Sequence, residues 1–206
     1  MKEKVVLKST NPGLYPNLEI ECRVLQNDEI GAYLDTIPEE RKFYATKHAK
    51  VKARLGEKGE VIKTILKTKI DGKEYILHEE ETTVKERDYE QLTGVMTKKT
   101  DVVVTNIEST SNEEYVVRFD KFLNTYDIGA NPDEYYPTED WRLLSQVDEN
   151  LIIMTAWGDP AICLKGSYIV TYNAEENDYN ALEEEACRKT YKKEDTKKKT
   201  LRKNSN

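Results

Sequence analysis

The sequence is poor in the residues from which redox, metal and nucleophilic sites are usually built. Its 206 residues hold three cysteines, Cys22, Cys163 and Cys187, an odd number with no CxxC spacing. That argues against a disulfide framework or a structural zinc site and favours a reducing compartment. The only histidines, His48 and His78, fall in separate strand candidates. His78 and Glu80 alternate onto one face, but a surface histidine beside carboxylates is commoner than a ligand pair, so no metal is expected. There is no GxSxG, Walker A loop, GxGxxG or HExxH, so no catalytic residue is nominated and no cofactor is expected. No apolar run approaches ~18 residues, so no membrane partner is expected. The opening "MKEKVVLKSTNPG" has no signal-type apolar core, and a cytoplasmic protein is expected.

An excess of positive charge is also missing. Lys and Arg number 32 against 39 Asp and Glu, a net charge of −7, which opposes general attraction to nucleic acid or anionic membrane. The basic side chains are unevenly placed. Nine lie between Arg188 and Lys203, with only Glu194 and Asp195 opposing them, so the preceding chain is more acidic than the total shows. From Glu194 onward the chain is Lys-rich, with Leu201 as its single aliphatic side chain. A segment of that composition buries too little surface to offset its ordering entropy, so 194–206 is expected to be a disordered basic tail.

What the sequence does have is strand. Thirteen tyrosines supply much of the apolar mass, and tyrosine favours sheets. Residues 1–41 read as an accessory segment: a short strand at "EKVVLK", a turn-rich "NPGLYPN", an alternating strand at "LEIECRVL" and a short helix stopped before Pro38. "FYATKHAKVKARL" alternates as one long strand. "EVIKTILKTKI" and "KEYILHEEETTV" flank Asp71-Gly72, a strong hairpin signal. "KERDYEQL" reads as a helical turn. "DVVVTNI" and "EEYVVRF" form a second hairpin around "ESTSN", and "DKFLNTYDI" a short helix. Asp101 and Asp159 read as turn residues rather than catalytic acids.

The second half repeats that ending. "YIVTY", "NDYNAL" and "EEEACRKTY" follow the order of "VVVTN", "EEYVV" and "DKFLNTY", matching Val104-Thr105 to Val170-Thr171, Tyr115 to Tyr179 and Tyr126 to Tyr191. Tyr115 precedes Tyr126 by 11 residues and Tyr179 precedes Tyr191 by 12. The expected fold is therefore α+β, mainly antiparallel, with two related β units at 42–128 and 129–193, each closed by a short helix. Tyr126 and Tyr191 should occupy equivalent positions on their sheets.

The stretches "YATKHAKVKARL", "TDVVVTN", "NEEYVV" and "KFLNTYD", with "GSYIVTY", "NDYNAL" and "CRKTYK" as a second copy, resemble the PGDYG-type domain. In that family a basic opening strand leads through a hairpin to Gly-Asp-aromatic-Ile-Val, a Gly-Glu-x-Tyr return strand and a closing Thr-Tyr helix. This chain has Thr100-Asp101 in one copy and Gly166-Ser167 in the other, so each keeps half of the signature. The resemblance spans about 42–193 and implies a small β module from a bacterial, phage or large-virus accessory protein. It carries no catalytic residue across.

Two functions of different kinds fit these observations. One is a non-catalytic accessory protein that binds a protein partner through duplicated β modules, including by an added strand at a sheet edge. The other is recognition of RNA or a nucleotide by stacking on Trp141 and Trp157, the only tryptophans, with Tyr115 and Tyr179 and help from the basic tail. An enzyme with an unfamiliar active site stands third. Aromatics of this kind also simply pack cores.

Overall fold

A computed structural model describes residues 1–91, 93–108, 113–131, 133–138, 140–156 and 158–194. It is mostly antiparallel β with three short helices. In chain order the first elements are β1 (Lys2–Ser9), β2 (Leu18–Leu25), α1 (Ile30–Thr36), β3 (Lys42–Lys47), β4 (Val51–Leu55), β5 (Val61–Ile70) and β6 (Lys73–Thr83). There follow β7 (Glu86–Glu90), β8 (Met96–Thr100), β9 (Val102–Asn106), β10 (Glu114–Val117), α2 (Phe119–Thr125), β11 (Tyr126–Ile128) and β12 (Glu134–Pro137). The last are β13 (Trp141–Gln146), β14 (Leu151–Met154), β15 (Pro160–Cys163), β16 (Tyr168–Asn173), β17 (Asp178–Leu182), α3 (Glu184–Thr190) and β18 (Tyr191–Lys193). Among the described residues no helix is long and apolar enough to cross a membrane.

The chain divides into two compact units, neither of them continuous. A central unit holds residues 48–67 and 76–139; a terminal unit holds 1–47, 68–75 and the chain from 140 onward.

In the central unit five strands run in the order β10-β9-β4-β12-β11, all neighbours antiparallel. Alternation sorts their side chains between the two faces. Val51, Ala53, Val102 and Val104 meet Phe122 of α2 and Tyr126 on one face, while Val103 joins Ile62 and Val84 on the other. The helix is short because Tyr126 returns to extended backbone, its N–H still donating to the Phe122 carbonyl. Thr125 Oγ1 donates back to the Lys121 carbonyl at 2.7 Å. At the start of the unit, Glu60 closes the turn after β4, accepting from Arg54 at 2.5 and 3.0 Å and from the Glu57 N–H at 2.9 Å. The Arg54 hydrogen bond, with that backbone donor, draws the Glu60 carboxyl down to about 2.

The terminal unit contains a second five-stranded antiparallel sheet, β17-β16-β13-β3-β18. Ala45, Leu144 and Val170 cover Cys187 of α3 on one face. Ile169 and Tyr179 point to the other, into a core shared with Leu25 and with Ile30, Tyr33 and Leu34 of α1. Glu183 caps α3 by accepting the Ala186 N–H at 2.9 Å. Glu184 and Glu185 then occupy its first turn and Arg188 and Lys189 its last, as the helix dipole favours. Burial, with Tyr172 hydrogen-bonded beside it, holds the Tyr191 hydroxyl well above its ordinary value.

The same unit holds β1 and β2, antiparallel to each other, with β14 lying parallel to β2 and β15 antiparallel to β14. Residues 1–41 are thus not an accessory: Leu7, Cys22, Leu25 and Ile30 are all at most 2% exposed. The expected turn at Asp71-Gly72 is present, with both residues at positive φ (51° and 74°) as a two-residue hairpin of this kind requires. Its tip is held by Tyr15, whose hydroxyl donates to the Glu74 carbonyl at 3.0 Å.

The two five-stranded sheets have one plan. Each runs as a hairpin, a central strand, a fourth strand and a three-residue closing strand, with a seven-residue helix leading from hairpin to closing strand. In element order 42–128 and 129–193 also correspond, each beginning with two strands and ending in hairpin, helix and strand. The two sheets nevertheless trade one strand. β3 precedes β4 in sequence but lies in the terminal unit, and β12 precedes β13 but lies in the central one. Tyr126 and Tyr191 begin the two closing strands, each directly after its helix.

Three expectations change. "FYATKHAKVKARL" is not one strand, because the chain leaves one sheet after Lys47 and enters another at Val51. Tyr115 and Tyr179 are not equivalent: Tyr115 sits on the α2 face of its sheet and Tyr179 on the face away from α3. The one-residue difference in their spacing is the cause, since a shift of one reverses the face of a strand residue. Finally, Glu194 is ordered. Its N–H donates to the Tyr44 carbonyl at 2.8 Å and its carboxylate accepts from Thr46 Oγ1 at 2.8 Å. The rest of the tail, 195–206, lies outside the described residues.

Two outcomes follow from this packing. Phe122→Ala removes the side chain that α2 places in the central core and should cost about 3–5 kcal/mol in urea unfolding, by exposing the helix's docking face and leaving a cavity. Because the Glu60 carboxyl is held below its ordinary 4.5, its contribution to stability is complete above that pH and is lost as pH falls towards 2. Glu60→Gln should therefore flatten the acid limb of a Tm-against-pH curve while changing the neutral limb less.

Candidate functional site

The ribbon β7–β8 is a two-stranded antiparallel sheet in the central unit. Its sequence "ERDYE" is polar throughout but alternates, which sends Arg87 and Tyr89 to one face and Glu86, Asp88 and Glu90 to the other. The helical turn expected here is absent because β8 supplies a partner in register. Arg87 is opposite Lys99, and Tyr89 opposite Thr97. Like charges directly opposite on antiparallel strands repel, by a few tenths to about 1 kcal/mol.

Asp101 lies two residues beyond Lys99 and is 3% exposed. Its carboxylate accepts from the Lys85 N–H at 2.9 Å and from Arg87 Nε at 3.0 Å. Its own N–H donates to the Lys85 carbonyl, and its carbonyl accepts from the Gly56 N–H, both at 2.9 Å. A Cβ on Gly56 would lie 2.8 Å from both methyls of Val84, so this approach requires glycine. Asp101 is therefore a junction residue that fastens the ribbon to β9, in keeping with a turn role.

From the other side come Arg118, Phe119 and Asp120, at the turn from β10 into α2. Arg118 donates to Asp120 through Nε at 3.1 Å and Nη2 at 2.8 Å. Burial alone would raise the Asp120 carboxyl; the Arg118 hydrogen bond and backbone donors outweigh it and hold the group low and ionised. The Phe119 ring meets Tyr89 edge-on, centroids 5.0 Å apart at 81°. The Lys99 ammonium stands 5.6 Å from the Phe119 ring centre, within cation–π range.

These groups enclose a cleft of about 220 Å³. Arg87, Lys99 and Arg118 bring three positive charges to it and Asp101 and Asp120 two negative ones, while Asp88 and Glu90 line it from strand β7 with side chains that alternate to the ribbon's other face. The balance is uneven in kind. Asp101 and Asp120 are committed to Arg87 and Arg118, whereas Lys99 has no carboxylate within ion-pair distance among the described residues and Arg87 uses only Nε. The arrangement can hold an anionic group next to an aromatic edge.

Of the residues nominated from sequence, Tyr115 belongs to the central unit and Trp141 and Tyr179 to the terminal unit. Tyr115 is half-buried in the central unit, its hydroxyl 2.8 Å from that of Tyr126. Tyr179 is 3% exposed inside the terminal core, where neither face of its ring is open for stacking. Trp141 is half-buried at the start of β13, its ring centre 6.3 Å from that of Tyr44. Trp157 lies outside the described residues. His78 stands 3.4 Å from Glu80 at the surface and His48 is exposed. Among the described residues no group of three or more potential ligands gathers. The three cysteines are buried and free, with burial pushing Cys163 to about 12 and Cys187 to about 11. Arg87, Tyr89, Lys99 and Phe119 were not among the residues nominated from sequence: the weak alternation of "ERDYE" bears on the first two alone, and no contiguous stretch joins them to Lys99 and Phe119.

No protein-family model, no curated protein and no solved structure matches the chain.

The Arg87–Asp101 pair gives a direct test of the cleft's construction. Arg87→Met leaves a buried carboxylate with only its backbone donor and should cost about 1–3 kcal/mol. Adding Asp101→Asn should recover part of that loss in a double-mutant cycle of urea unfolding.

Proposed function

We propose that the protein is a non-catalytic accessory protein that works by binding a protein partner, and that the cleft of the central unit is its working surface. The observation carrying this reading is the Arg87–Lys99 cross-strand pair, two cations held side by side against Phe119 and Tyr89. A folded chain on its own gains nothing from that juxtaposition, whereas an interface gains charge complementarity from it. Arginine and aromatic residues are also the side chains that most often carry interface energy. The resemblance to PGDYG-type modules supports an accessory role and a bacterial, phage or large-virus origin. Burial of Tyr115 and Tyr179 weighs against the stacking alternative.

The experiment is affinity capture with the full chain as bait, followed by reconstitution with the purified captured protein. A one-to-one complex that survives dilution to micromolar concentration, and that loses at least ten-fold in affinity with Lys99→Glu but not with Lys8→Glu, is expected. Failure to reconstitute any complex, or steady turnover of a small substrate by the purified chain, would overturn the reading.

A further inference from the structure

The cleft's dimensions and bonding also indicate what it takes, granted that it is a protein-binding surface. We infer that Arg87 and Lys99 form a receptor for an oxyanion carried on a side chain of an extended peptide segment, with an apolar neighbour of that side chain lying on the Phe119–Tyr89 edge. Two observations lead there. Arg87 and Lys99 are direct cross-strand partners on one face of the ribbon. The one carboxylate on that face, Asp101, is buried and occupied by Lys85 and Arg87 Nε, so it does not neutralise Lys99. An incoming oxyanion relieves the repulsion between the two cations and gains charge-assisted hydrogen bonds from both.

The remaining observations decide the class of ligand. At about 220 Å³ the cleft is below the range of about 300–1,000 Å³ that encloses a whole small-molecule ligand, so it suits a side chain. Phe119 already takes the Tyr89 edge and the Lys99 ammonium, an arrangement less suited to stacking a nucleobase. The Asp120 carboxylate also lines the cleft and would repel a polyphosphate more than a single acidic side chain. A peptide also has somewhere to lie. β7 and β8 pair only with each other among the described residues, so each keeps an outer edge to which a further strand can add.

The oxyanion can come from a glutamate or from a phosphorylated residue, and the test separates the two. Backbone amide NMR of the full chain is followed during titration with three capped peptides, acetyl-Gly-Leu-X-Leu-Gly-amide with X as Glu, phosphoserine or Gln, and with adenosine monophosphate. The Glu or phosphoserine peptide should shift the amides of Arg87, Tyr89, Lys99 and Phe119 and bind at least ten-fold more tightly than the Gln peptide. Whichever of the two binds more tightly identifies the source. Lys99→Met should weaken that binding at least ten-fold with amide shifts elsewhere unchanged, and Lys99→Arg should retain it.

Equal binding of the Gln peptide, indifference to Lys99→Met, or the absence of shifts at the cleft would overturn the inference. So would adenosine monophosphate binding ten-fold more tightly than every peptide, which would make the site a nucleotide site. If the peptides fail while the reconstituted complex with the captured partner persists, the oxyanion inference falls alone. If no partner complex forms at all, it is the protein-binding function that fails.

Discussion

A buried carboxylate tolerates few surroundings, and Asp101 is the point on which the central unit's cleft depends. Taking an ionised group out of water costs several kcal/mol unless donors meet it. Here the donors are the Lys85 N–H and Arg87 Nε, both just before or within β7. Satisfying Asp101 therefore fixes where β7 lies and which way its residues face. Once Arg87 faces Asp101, strand alternation puts Tyr89 on the same side and register puts Lys99 opposite Arg87. Gly56 serves the same end: its N–H donates to the Asp101 carbonyl, and its missing Cβ leaves room for the methyls of Val84. A residue whose own role is structural thus sets the chemistry of its neighbours.

The second organising feature is repetition with exchange. Each half of the chain after residue 41 supplies a first strand, a central strand and a closing hairpin–helix–strand, yet each first strand completes the other half's sheet. Such an exchange separates β3 from the rest of its sheet along the chain, whereas the central unit is interrupted only by 68–75, the tip of the β5–β6 hairpin. It also explains why neither compact unit coincides with a repeat. The copies diverge where local register differs. β16 pairs with β17 across an irregularity between Thr171 and Asn173, and the tyrosine that faces α2 in one copy faces away from α3 in the other.

The cleft combines two ion pairs with one lysine held over an aromatic ring. The pairs fix geometry; Lys99 and the unused nitrogens of Arg87 supply the attraction. Division of labour of this sort is what a preorganised binding surface requires, because groups that are already in place lose little freedom when a partner arrives.

The sequence by itself determined the fold class, the hairpin at Asp71-Gly72 and the two short helices α2 and α3, while the strands that Tyr126 and Tyr191 begin read as helix in the sequence. What it fixed are local features: period-two alternation, positive-φ turn residues and short helical patterns. Only the tertiary structure decided that residues 1–41 belong to a core, that β3 and β12 cross to the other sheet, and that Arg87, Lys99 and Phe119 meet. Alternation reveals that a strand has a buried face but not which sheet will cover it. The "ERDYE" strand carried even less signal, since its residues are polar on both faces and it becomes a strand only through pairing with β8. Its site was invisible for the same reason: strand pairing and a buried carboxylate bring its members together, and neither is written in any contiguous stretch of the chain.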